Sequence, residues 1–307
     1  MADFRSANGH NGYGFDASRS EPEILPPGEY PPSSPQHQPP PVSGYGTGYV
    51  PGPVPGPVPP PRPRRSHWAA APATYILLGI NCAVFLGMVF SGVSVASPNN
   101  RALLLWGAGN GTLELGYGQW WRLLSAMFVH IGIIHLASNM WCLWNLGLLG
   151  EPLLGPFGIF AAYLLTGFSG NLLSTAVHPG INGGPESIVG AGASGAIFGL
   201  AGVLIVLLKS PLLPIPPLEL KKLRRSVIYF AGLNFIIGAG TWISNSPIQV
   251  DNMAHLGGFL SGLALGVPLV PRIGAPRQTF ERRRTFAVLG MAFLLLLLAF
   301  GVYSFWR

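Results

Sequence analysis

Seven stretches of the chain, each near 20 residues long, carry few or no charges: approximately 73–94, 126–148, 156–177, 190–208, 226–244, 251–271 and 285–305. A helix needs about that many apolar residues to cross a roughly 30 Å hydrocarbon layer. The sequence therefore predicts an all-α polytopic membrane protein. Composition agrees, because only 9% of the 307 residues are charged and 49% are hydrophobic, against about 25% charged in soluble domains. An ordinary soluble enzyme is excluded.

The apolar runs begin only after a different kind of sequence. Of the 31 prolines, 17 fall in the first 65 residues, in patches such as YGTGYVPGPVPGPVPPPRPRR that lack any apolar period. The expectation is a disordered or partly polyproline II cytoplasmic tail over 1–65, a flexible tether in preference to a PxxP ligand. A membrane core over 66–272 follows, then a basic linker and a seventh helix over 273–307. No short apolar core with a small-residue cleavage site stands near Met1, so no secretory signal peptide is expected.

Net charge is +7, but the basic residues lie in clusters between apolar runs and form no stripe, so nucleic acid is not expected as a partner. Arg62, Arg64 and Arg65 precede the first run. Lys209, Lys221, Lys222, Arg224 and Arg225 lie between the fourth and fifth, and Arg272, Arg277, Arg282, Arg283 and Arg284 between the sixth and seventh. All three clusters share one side, which the positive-inside rule makes the cytoplasm. The N-terminus is then inside and the seventh span ends outside. Cys82 and Cys142 both sit in apolar runs and are read as small buried packing residues, which leaves neither a disulfide framework nor a CxxC site.

The outward segment over 95–125 brings Trp120, Trp121 and Arg122 to the approach of span two, a composition suited to the headgroup layer. Span seven, with its LLLLL run and terminal Tyr303, Phe305 and Trp306, carries no group capable of chemistry. It reads as a lipid-facing or packing helix with an aromatic anchor.

Polar side chains inside lipid-embedded runs are costly and mark function. Here they are few: His130, His135 and Asn139 in span two, Ser194 within GAGASG in span four, and Asp251, Asn252 and His255 opening span six. At about 1.5 Å per residue, Ser194 and His255 lie roughly 6 Å inside their helix starts, and His135 and Asn139 roughly 14–20 Å. Charge placement thus puts a nucleophile, a base and two hydrogen-bond donors in the same outer half. The glycines around Ser194 also suit a small-residue packing face. A serine near a helix start has free N–H groups at hand to hold an oxyanion. Gly258 and Gly262, one and two turns after His255, let the two helices approach. Asp251 shares a face with His255 and could orient it, although an Asp just before an apolar helix is foremost an N-cap. His135 and Asn139, at i and i+4, point into one space. His130 and His135 are five apart, on diverging faces, and no HExxH occurs, so a metal site is not expected. A paired-aspartate mechanism fails because Glu151 and Asp251 belong to opposite membrane faces.

These residues resemble the rhomboid intramembrane serine proteases. The resemblance rests on WR at Trp121–Arg122, the H-x4-H-x3-N run from His130 through His135 to Asn139, GASG at Gly192–Gly195, and AHLGGFLSG with His255, Gly258 and Gly262. It covers about 70–271 and implies a six-helix core, with the seventh helix an addition (6+1). Ser194 is the implied nucleophile and His255 the general base, then acid. His135, Asn139 and the Ser194 N–H are the implied oxyanion donors, with no cofactor and no third carboxylate. Gly192, Trp121–Arg122 and Glu151 match structural positions, and Phe198 supplies a stacking face under the histidine without a hydroxyl. The implied activity is serine endopeptidase cleavage of single-span membrane proteins near the outer interface, in contact with membrane lipids and most simply in the plasma membrane. A non-proteolytic rhomboid-like protein that binds transmembrane clients is the alternative, and retention of both Ser194 and His255 weighs against it.

Overall fold

The computed structural model describes residues 71–210, 213, 215–243, 250–270 and 277–306. The proline-rich stretch assigned as a tail over 1–65 lies outside the described residues, as does Arg272. The helices are α1 (Pro72–Phe90), α2 (Asn100–Leu105), α3 (Arg122–Ser125), α4 (Ile133–Val177), α5 (Ser194–Leu207), α6 (Pro217–Ile243), α7 (Asn252–Leu269) and α8 (Arg277–Trp306). A π-helical turn over Thr112–Gly116 and a 3-10 turn over Ala126–Phe128 complete the regular elements. Among the described residues no strand forms, and the single bridge pairs Gly109 with Gly190.

α4 is two helices in one. Gly155, between Pro152 and Pro156, takes φ 74° and ψ 167°, a left-handed φ open to glycine and poor for other residues. The chain therefore breaks there into α4a (133–154) and α4b (156–177), the second and third expected spans. By length and composition α1, α4 and Gln278–Trp306 are long and apolar enough to cross a membrane, and α5 is a shorter apolar helix. The protein is an integral membrane protein of the all-α class, and among the described residues α1, α4a, α4b, α5, α6 and α7 stand as the six expected core helices with α8 as the seventh.

Several boundaries differ from the sequence expectation, each for a local reason. Span two begins at Ile133 instead of 126, because residues 126–128 form the 3-10 turn and Gly132, at φ 85°, packs against the Ala96 carbonyl where a side chain would collide. His130 consequently lies before the helix. Span four shortens to 14 residues, about 21 Å at 1.5 Å per residue, so irregular chain precedes it; such chain is tolerated at membrane depth where protein surrounds it. α6 starts nine residues before the expected 226, taking Lys221, Lys222, Arg224 and Arg225 into helix, with Lys222 paired to Glu219 at 2.9 Å.

Three helices carry the packing. Ala196, Leu200, Ala201 and Val203 of α5 are buried to 1% exposure or less. A Cβ at Gly258 would overlap the Gly195 carbonyl, and one at Gly262 the Gly199 carbonyl, so α5 and α7 touch backbone to backbone. α4b joins them, since a Cβ at Gly170 would overlap the Ala254 carbonyl. α1 is held at its start by a residue from elsewhere. Ala71 gives no side-chain cap, and Glu151 instead accepts from Ala73 N and Thr74 N, both at 2.8 Å, and from Thr74 Oγ1 at 2.7 Å. A buried carboxylate thus satisfies the helix's first free N–H groups.

Candidate active site

The chain entering Ser194 is held from three sides. Gly190 exchanges both backbone hydrogen bonds with Gly109, at 2.7 and 3.0 Å; Gly192 N donates to Ala126 O at 3.0 Å; and Ala193 N reaches His130 Nε2 at 3.5 Å. A Cβ on Gly192 would sit 2.6 Å from His135 Cε1, so only glycine lets this stretch of chain pass the ring. Ser194 is the first residue of α5, with the unpaired N–H groups of the first helical turn around it.

His255 lies on the first turn of α7. Asp251 caps that helix: its Oδ1 accepts from Ala254 N at 2.9 Å and its Oδ2 from Ser174 Oγ at 2.6 Å. Both carboxylate oxygens are engaged, which decides for the cap over an orienting carboxylate. The His255 ring is set instead by Phe198, stacked at 4.2 Å between centroids and 15° between planes. Phe230 and Phe235 of α6 back Phe198 at 6.3 and 6.5 Å. His255 Nδ1 is buried with no hydrogen-bond partner.

His135 and Asn139 rise from the start of α4a. Ile131 N donates to His135 Nδ1 at 3.3 Å, which requires a lone pair on Nδ1 and leaves the proton of the neutral ring on Nε2. Asn139 Nδ2 donates to His135 O at 2.9 Å, using one of its two amide hydrogens. Ser194, His255, His135 and Asn139 all line one cavity of about 380 Å³. The structure thus brings the four expected site residues together and leaves out His130, which serves the chain before Ser194.

Other residues differ from their expected places. Arg122, read as a headgroup neighbour, is 7% exposed. It donates to Gln119 Oε1 at 2.6 Å, Leu104 O at 2.7 Å and Ala108 O at 2.8 Å, and it stacks 4.6 Å over Trp121. It fastens the outer segment, while Trp121 stays exposed. Cys142 is half-buried and lines the cavity, and Cys82 is likewise only partly covered. Asn234 of α6 also lines the cavity; a polar residue inside an apolar run was its available signal. Glu114, 1% exposed, gave none. Its carboxylate accepts from Asn110 N at 3.1 Å and from Thr175 Oγ1, and burial pushes its pKa above the usual range against the pull of those bonds and of Arg122.

Comparison with known proteins gives a consistent set. A family model described as the Rhomboid domain matches residues 117–272. Rhomboid protease GluP of Bacillus subtilis (strain 168) is 32% identical over 232 residues, 75% of this chain and 41% of that protein. RHOMBOID-like protein 2 of Arabidopsis thaliana is 31% identical over 254 residues, 72% of each chain. RHOMBOID-like protein 6, mitochondrial, of the same plant is 34% identical over 190 residues, 58% of this chain and 55% of that one. The chain therefore spans less than half the length of the Bacillus relative.

Proposed function

The chain belongs to the rhomboid family, and on that premise we propose that it is an intramembrane serine endopeptidase acting on single-span membrane proteins. The observation that carries the reading is the meeting of Ser194, His255, His135 and Asn139 in one cavity. In this reading Ser194 Oγ attacks the scissile carbonyl carbon while His255 takes the hydroxyl proton, because a serine is a weak nucleophile without a base. Nε2 is the nitrogen for that task, since Nδ1 is shut away. The oxyanion that forms is met by His135 Nε2–H, the second amide hydrogen of Asn139 and the Ser194 N–H. His255 then gives its proton to the leaving amine. Water hydrolyses the acyl-enzyme, its proton passing to His255 and on to Ser194 as the acid product departs. A continuous substrate helix keeps its backbone hydrogen-bonded, so the substrate needs a segment that unwinds easily.

The proposed placement has the N-terminus in the cytoplasm and the cavity toward the outer side of the plasma membrane. Supporting it, the basic residues cluster at one end of the helices: Arg284 reaches Leu154 O at 2.7 Å, at the turn between α4a and α4b, and Lys221–Arg225 open α6. By the positive-inside rule that end is cytoplasmic.

The test is cleavage of a model single-span substrate in liposomes by the wild type, Ser194→Ala and His255→Ala, with both variants expected to lose at least about 10³-fold in rate. Equal product from all three would overturn the mechanism. Capture of the substrate without cleavage by a wild type that also resists a serine-directed fluorophosphonate would favour client binding.

A further inference from the structure

The last turn of α4b holds three other parts of the molecule through three consecutive residues. Ser174 donates to Asp251, the cap of the helix that carries His255. Thr175 donates to Glu114 of the outer segment. Ala176 accepts, through its carbonyl, the indole N–H of Trp306 at 3.1 Å. The same tryptophan is fixed again from the loop leading to Ser194, where Asn182 Nδ2 donates to its carbonyl and Gly184 lies so near that a Cβ would come within 2.8 Å of the ring. One turn earlier, Tyr303 meets Trp120 edge-on at 5.7 Å.

Two turns inside its start, α8 is fastened again at the Gly155 break, where α4a passes into α4b. Arg284 Nη1 donates to Leu154 O at 2.7 Å beside the Gly155 break, and its guanidinium lies 5.2 Å over Phe157. Between these fastenings Leu289, Phe293, Leu296 and Phe300 are exposed and a narrower face with Leu295 leans on the core. A helix that only filled space or met lipid would show no such concentration of polar contacts at two places.

We propose that α8 is a strut along α4b and that Trp306 is a positioning residue for the Ser194–His255 pair, acting through the last turn of α4b and the 178–187 loop. The inference rests on the protease reading above. One route runs from Trp306 through the adjoining Ser174–Asp251 bond to the cap four residues before His255. The other runs through Asn182 and Gly184 to the loop whose continuation, Val189–Gly192, walls the cavity. Releasing the tip loosens both approaches to the pair, and small misplacements of reacting groups reduce rate steeply.

The test uses the full chain in detergent micelles and reads phosphonylation of Ser194 by a fluorophosphonate probe, together with kcat and KM on a model substrate. Trp306→Ala is expected to slow labelling and lower kcat about ten-fold, leave KM within about two-fold of the wild type, and speed amide hydrogen exchange over 178–193 and 252–255. Trp306→Phe, which keeps the ring beside Gly184 and loses the N–H donor, should recover part of the rate. Asn182→Ala serves if Trp306→Ala does not fold. Labelling and kcat at the wild-type level in a folded variant would overturn the proposal. A wild type that neither labels nor cleaves would instead overturn the protease reading; hydrogen exchange then decides the strut, faster exchange in the variant sustaining it and unchanged exchange refuting it.

Discussion

α7 and α8 are neighbouring apolar helices fastened in opposite ways. α7 lies against α5 along its length, its glycines touching carbonyl oxygens of the facing backbone. α8 is tied by Arg284, two turns inside its start, and by Trp306 at its end, and much of the stretch between them is exposed. Backbone contact leaves no side chain to rotate away, so it sets helix separation more tightly than interdigitated leucines can. The helix that must deliver His255 to Ser194 has the first kind of contact. The helix that must hold a frame at two points has the second.

The sharpest way to break this comparison is to place a side chain in the tight contact. Gly258→Val puts its Cβ on the Gly195 carbonyl, one residue after Ser194. Backbone must move, because the clash is with the main chain on both sides. Overpacking of this kind costs about 3 kcal/mol, and α7 would be displaced from α5 beside the reacting pair. The expected result is loss of fluorophosphonate labelling with a clear drop in thermal midpoint. A variant that labels at the wild-type rate would show that the spacing of α5 and α7 does not govern the site.

Part of this arrangement was legible in the sequence. The spans could be read because each apolar run in the sequence is near 20 residues, and their ends shifted where local chemistry decides: at Gly132, before Ser194, and at α6, whose helix takes in the basic residues before its apolar run. Ser194, His255, His135 and Asn139, which line the cavity, were legible because a hydroxyl, an amide or an imidazole stands out in an apolar run. Gly258 and Gly262 were legible by spacing. The fastenings were not. Arg122 binds the carbonyls of Leu104 and Ala108, and Trp306 that of Ala176, and a carbonyl oxygen carries no sequence signature. Glu151 and Glu114 reach partners 77 and 61 residues away in the chain, Thr74 and Thr175. Such pairings depend on which helices become neighbours, and periodicity within one run does not encode that.

A smaller effect should appear at the last turn of α4b, where Glu114 and Trp306 bind adjacent residues. Burial raises the Glu114 carboxyl above its ordinary value of 4.5, ahead of the opposing bonds from Thr175 and Asn110 and the charge of Arg122. The folded chain thus keeps this proton at a pH where the unfolded chain has lost it. That contribution to stability is fully present below 4.5 and is lost as pH rises through the higher folded value. Glu114→Gln removes the titration, keeps its one amide oxygen as acceptor for Asn110 N, and places an amide N–H as donor to Thr175 Oγ1, whose hydroxyl then donates to Asn171 O. The difference in thermal midpoint between variant and wild type should therefore move in the variant's favour as pH increases from 4.5 toward neutrality. Parallel curves would mean that Glu114 holds the outer segment without sensing pH, and the fastening at this turn would then be purely geometric.

The smallest expected effect comes from repeating a glycine substitution on the other helix. At Gly290 of α8 a Cβ would meet no neighbouring part of the molecule within 4 Å, whereas at Gly258 the three nearest atoms are all backbone of Gly195. Glycine in a helix interior costs about 0.8–1 kcal/mol relative to alanine through its greater freedom when unfolded. Without a steric cost to set against it, Gly290→Ala should raise stability by about 0.5–1 kcal/mol and leave labelling unchanged. The reading is a small upward shift in thermal midpoint with an unaltered labelling rate. A fall in either would mean that the middle of α8 is packed more closely than its exposed residues imply, and the contrast between a helix joined along its length and one joined at two points would fail.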